Sequence, residues 1–265
     1  MIKVSKACVV IASAAFVLAF AACKSNPNAP SSAGPASTAA PIASPETIDQ
    51  FKLLLFADQS LEEITKSVDT TSSASGSPPG SLFASALSAS REGKTEDAKN
   101  NLQQVLAMPN GESRVQLWAW KALRELGERP PADVADTVQG VVCELHNQAG
   151  VGTMAAYADG RARWVGGEGN VIGWEAPGND AEIAGLVGEL IRSTEPLVRT
   201  APLSDKHKTP EPALDHFRVS ILTFGGIRVV EVFGPEIDER QPVASVLTTS
   251  VKLLDALAKK SEKPK

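Results

Sequence analysis

The chain has 265 residues, of which 43% are apolar, and its formal net charge is −5. That apolar share is ordinary for a folded protein, and about 220 residues beyond the N-terminal segments suffice for one or two domains. The acidic balance argues against general nucleic-acid binding, which needs a concentrated positive field.

The first element is a signal segment. Lys3 and Lys6 form a short positive region, and residues 7–22 are almost wholly apolar or small. The run is too short and too small-sided for a membrane span, and a polar, proline-rich stretch follows it. An ordinary secretory signal would be cut after Ala19-Phe20-Ala21 or Phe20-Ala21-Ala22. The end of the run, Phe20-Ala21-Ala22-Cys23, also resembles the lipobox of bacterial lipoproteins. That resemblance implies cleavage before Cys23 and acylation of its thiol and new amine. Multiple acyl chains would hold the protein on a bilayer effectively permanently. Lys24 follows where an aspartate would mark inner-membrane retention, so the resemblance further implies the outer membrane, facing the periplasm. Removal of residues 1–22 takes Lys3 and Lys6 with it and leaves 24 basic against 31 acidic side chains, a net charge of −7.

Residues 24–45 are rich in Ser, Ala and Pro without hydrophobic period. They read as a disordered tether with a mean span of about 25 Å. Residues 46–130 read as helical. Ile48, Phe51, Leu54, Leu55, Leu61, Ile64 and Val68 recur mostly at helical spacing over 46–68, and residues 72–81 make a second break. In 81–109, Gly93, Ala98 five residues later and Pro109 at the end resemble a tetratricopeptide repeat. A plain helical hairpin covering the next domain accounts for the same residues, since a single repeat cannot bury its own face.

Residues 131–260 change character, and 261–265 form a basic tail. VVCELHN reads as a strand, TMAAYA-DG-RARWV as a hairpin turning on Asp159-Gly160, and VIGWE as a strand. An amphipathic helix capped by Asn179 follows, with Ile183, Leu186, Val187, Leu190 and Ile191 on one face. HFRVSILTF and IRVVEVF form a hairpin about Gly225-Gly226, and Pro242 starts a last helix. The expected fold class is α+β: helical hairpins, then an antiparallel sheet of about six strands covered on one face by two helices. This order resembles the layout of type III secretion chaperones and of profilin-like domains, and YADGRARWVGGEGNVIGWE is similar to a stretch of uncharacterised bacterial proteins. Neither resemblance carries an activity.

No catalytic constellation stands out. There is no GxSxG and no GxxxxGK[ST], and the GxG within GGEGNVIG is flanked by strands where a dinucleotide site needs a helix. His146, His207 and His216 lack ligand spacing; His207 and His216, with Asp205 and Asp215 nearby, could bind zinc if their loop folded back, but they read as solvated loop residues, and no metal or cofactor is implied. After signal removal and lipidation only Cys143 remains, so no internal disulfide is expected. Aromatics are sparse, and Tyr157, Trp164 and Trp174 come from three neighbouring strands. They either pack under the helices or, with Arg161 and Arg163, form a partner-binding face left open by them. The expectation is a non-catalytic, lipid-anchored module binding a protein partner at the cell envelope. Small-ligand or glycan binding on that aromatic face is the competing reading.

Overall fold

The computed structural model describes residues 51–71, 78–109, 111–175, 177–204 and 210–261. The signal segment, Cys23 and the tether lie outside the described residues, as do Asp205, His207 and residues 262–265.

The chain breaks where one continuous helix is expected. Residues 51–55 are helical, and helix α1 (Leu61–Thr71) then starts afresh. Ser60 causes the restart. Its hydroxyl accepts the Glu63 N–H (3.2 Å), and the Glu63 carboxylate accepts the Ser60 N–H (2.9 Å), a reciprocal cap that satisfies two otherwise orphaned donors. Ala57 turns the chain between them with φ +48°. Helices α2 (Gly80–Arg91) and α3 (Thr95–Leu106) form an antiparallel hairpin, with Gly93 at φ +75° in the connection. Helix α4 (Ser113–Glu125) closes the layer. Ile64, Phe83, Ala86, Leu102, Val105, Ala119, Ala122 and Leu123 form its core.

After a single turn, α5 (Ala132–Ala135), come strands β1 (Val138–Asn147), β2 (Gly150–Tyr157), β3 (Ala162–Val165) and β4 (Val171–Trp174). Helix α6 (Ala181–Val198) leads to β5 (His216–Thr223) and β6 (Gly226–Phe233). A 3₁₀ turn (Gly234–Glu239) and helix α7 (Gln241–Ser261) end the described chain. The sheet order is β4-β3-β2-β1-β5-β6, with every neighbouring pair antiparallel. The fold is therefore α+β, with α6 carrying the chain from the β4 edge back to the far side of β1.

Alternation along the strands sorts the side chains. Val141, Cys143, Met154, Trp164, Phe217, Val219 and Val232 point to one face and share a core with Ile183, Val187 and Leu190 of α6 and Val246, Leu253 and Leu257 of α7. Cys143 is buried here, and the Ser250 hydroxyl donates to its Sγ (3.3 Å). Burial pushes the thiol up to about 12, so it stays protonated at neutral pH. Trp164 also dictates a glycine. A Cβ on Gly152 would sit 2.3 Å from Trp164 Cη2, so this strand position accepts no side chain while the indole stays where it is.

The second sheet face is covered too. Val142, Ala155, Tyr157, Val165 and Leu222 pack against Leu55, Ala57 and Leu117. Residues 51–57 and α4 thus lie on the face opposite α6 and α7. Several boundaries differ from those expected, three of them at glycines or caps. β2 begins at Gly150, because Gly150 and Gly152 serve the strand and do not break it. Asp180, not Asn179, caps α6, accepting from the N–H groups of Glu182 and Ile183. The last hairpin turns on Phe224-Gly225, with Gly226 (φ +141°) already in β6.

Candidate functional site

The five residues expected to form a recognition surface divide between the two sheet faces. Trp164 is buried under the helices, and Trp174, partly buried, packs on the same core. Tyr157 and Arg163 point the other way, as register with Ala155 and Val165 requires. Tyr157 is fully buried, and its hydroxyl donates to the Leu55 carbonyl (2.7 Å). The Arg114 guanidinium lies 5.4 Å from its ring centre, and that of Arg163 lies 5.7 Å from the Phe51 ring. Arg163 is held by Glu175, and Arg161 pairs with Asp159 (2.8 Å) and Glu175 (3.6 Å). Tyr157 and Arg163 therefore join the helical layer to the sheet, Arg161 ties the β2–β3 turn to Glu175, and Trp164 and Trp174 belong to the helix-covered core. The aromatic positions came from three neighbouring strands, but strand parity places Tyr157 opposite Trp164.

Asp159 has a role that reading it as a turn residue missed. Helix α4 has no capping side chain of its own. The Asp159 carboxylate supplies one from the β2–β3 turn, accepting the Ser113 N–H (2.8 Å), while the Asp159 N–H donates to the Ser113 hydroxyl (3.2 Å). Gly160, at φ +89°, makes this approach possible. Asp159→Ala is expected to cost about 1 kcal/mol, the usual value of a cap, read as a lower midpoint in urea unfolding.

Further along the second face the surface becomes polar. The register sets Thr153, Glu144, Arg218 and Glu231 in one row across β2, β1, β5 and β6. Ser220 stands opposite Val142 in the next row. The Arg218 Nε and Nη2 donate to Glu231 Oε2 (2.9 and 2.8 Å), and its Nη1 donates to the Pro210 carbonyl. Glu144 is left 3.5 Å from Nη1, and among the described residues its Oε2 has no hydrogen-bond partner; nor do the buried hydroxyls of Thr153 and Ser220. Burial pushes Glu144 up to about 7 against the pull of Arg218 and Lys52. For Glu231 burial acts in the same sense, but the hydrogen bond and charge of Arg218 outweigh it and hold this carboxyl below the usual range. A short strap, residues 210–213, covers the row. His146 Nδ1 donates to the Pro212 carbonyl (2.7 Å), the Ala213 N–H reaches Glu231 Oε1 (3.4 Å), and Glu211 pairs with Lys52 (3.2 Å). Glu144 and Arg218 are each a charge inside a β-rich run, which was the available signal for this cluster. Among the described residues, no group of three His, Cys, Asp or Glu side chains is placed to hold a metal ion.

Exposed apolar side chains concentrate at the sheet edges. The large hydrophobics that stand out are Val171 (50% exposed), Leu203 (48%), Leu214 (51%) and Phe233 (42%). Val171 lies on edge strand β4. The other three accompany edge strand β6 or the start of its partner β5. Residues 202–204 pair with the first half of β6, through Ser204 N–H to Ile227 O (2.7 Å) and Val229 N–H to Pro202 O (3.1 Å). By strand alternation, both backbone groups of Glu231 and the N–H of Phe233 also point away from β5, and no loop or turn among the described residues bonds to them; the Phe233 carbonyl instead caps the 3₁₀ turn. Compared with known proteins, the chain matches no family model, no curated protein and no solved structure.

Proposed function

We propose that this protein is a non-catalytic module, lipid-anchored through Cys23 at the cell envelope, that binds a protein partner along the outer half of β6. The observation that carries the binding reading is the coincidence of exposed apolar residues with an unpaired strand edge. An edge strand is a ready template for another chain: main-chain hydrogen bonds supply affinity, and flanking side chains supply selectivity. Leu214 and Phe233 would provide the apolar contacts. The anchor rests on the lipobox resemblance and on the proline-rich stretch that follows it. The glycan or small-ligand alternative has less support, because Tyr157 and Trp164 are already covered from both sides.

Phe233→Pro tests this while keeping the β5–β6 ladder. Phe233 has φ −67°, the value proline fixes, and its N–H faces outward, so no ladder bond is lost. The expected result is that a partner crosslinked in membranes by the wild type is lost in this variant, while its unfolding midpoint matches that of Phe233→Ala, which gives up the same ring contact with His216. Recovery of the same partner by the variant would refute the edge as the site. In a parallel sample, Cys23→Ser is expected to move the protein out of the membrane fraction.

A further inference from the structure

The buried row on the second face holds more carboxylates than cations. Glu144, Glu231 and Glu211 face Arg218 and Lys52, and His146 and His216 lie on the same strands two residues from the row. Glu231 and Glu211 take the close contacts, at 2.8 and 3.2 Å, and among the described residues the nearest cation to Glu144 Oε2 is the Nη1 of Arg218, at 3.5 Å. That same Nη1 holds the strap through the Pro210 carbonyl. Neutral Glu144 makes no demand on Arg218. Ionised Glu144, opposite Thr153 in the register and 3.5 Å from Nη1, pulls that nitrogen toward itself and so away from the Pro210 carbonyl.

We propose that Glu144 is a proton-operated latch: loss of its proton draws Arg218 away from Pro210 and loosens the strap 210–213 from the sheet. The Asp215 amide, which donates to His146 O (2.9 Å), lies at the end of the strap and reports on it. The test uses the isotopically labelled full chain. The Glu144 side-chain carboxyl carbon is followed by NMR from pH 4 to 9, and Asp215 amide exchange is compared at pH 8 between wild type and Glu144→Gln. Comparison at one pH removes the intrinsic pH dependence of exchange. The expected results are a carboxyl midpoint near neutrality and protection of Asp215 about tenfold lower in the wild type than in the variant. Equal protection in the two proteins would overturn the latch and leave any pH response to the histidines. A Glu144 midpoint in the ordinary carboxylate range would overturn it in the wild type alone, whether or not the variant folds.

Discussion

Trp164→Ala is expected to lower the unfolding free energy by about 3–5 kcal/mol, the range for emptying a large aromatic site in a core. The indole is almost fully buried and belongs to the cluster that joins β1, β2 and β3 to α6 and α7. Its removal takes contacts from both helices at once, and no flexible side chain stands ready to fill the space at Gly152. Gly152→Ala should also destabilise the wild type, because its methyl carbon would be placed 2.3 Å from Cη2. In the Trp164→Ala background the same change should cost little. The double-mutant cycle by chemical denaturation should therefore show strong coupling between the two positions. Additive effects would mean that Gly152 is glycine for some other reason. The same experiment separates a core tryptophan from a recognition tryptophan, since the latter would lose partner and keep stability.

Glu144→Gln should stabilise the protein at pH 8 and leave it nearly unchanged at pH 4. The direction follows from linkage. The folded-state value of Glu144 is raised from 4.5 to about 7, so the folded protein holds this proton more tightly than the unfolded chain does. Below about pH 4.5 both states are protonated and no penalty exists. Between about 4.5 and 7 the unfolded chain ionises first, and the wild type loses stability as pH rises. Above about 7 the loss is complete. At about 1.4 kcal/mol per unit, its order of magnitude is 3 kcal/mol. Glutamine keeps the shape and never ionises, so it escapes the loss. Urea unfolding of both proteins at about pH 4 and 8 measures this. A gain of equal size at the two pH values would assign the effect to packing.

Much of the sheet was legible because its strands alternate and its turns carry glycine. Hairpins about Gly160 and Gly225, two one-sided helices and an α+β order all follow from local pattern. The boundaries that differed have local causes that composition hides. Gly152 lies just before the strand expected from Thr153, yet it is a strand residue shaped by the ring of Trp164 on the next strand. The 46–68 apolar spacing continues through residues 56–60, where Ser60 and Glu63 cap a new helix. The candidate surface was less legible. Tyr157 and Trp164 are seven residues apart in sequence, with a four-residue turn between them, and only the register shows that they face opposite ways. Cover on the second face depends on residues 51–57 returning to a sheet more than 80 positions later, a long-range contact with no period to announce it. The β6 edge was hidden for a related reason. Edges are set by strand order, and strand order requires knowing that α6 returns the chain to β1.

The most direct measurement is site-specific photo-crosslinking in intact cells. A photoreactive side chain is placed singly at Phe233, at Val171 on the opposite edge, and at Lys252 on the solvent side of α7. The account predicts a discrete adduct from position 233 alone. An adduct from Lys252, or from Val171 without one from Phe233, would place the partner elsewhere and contradict recognition along β6.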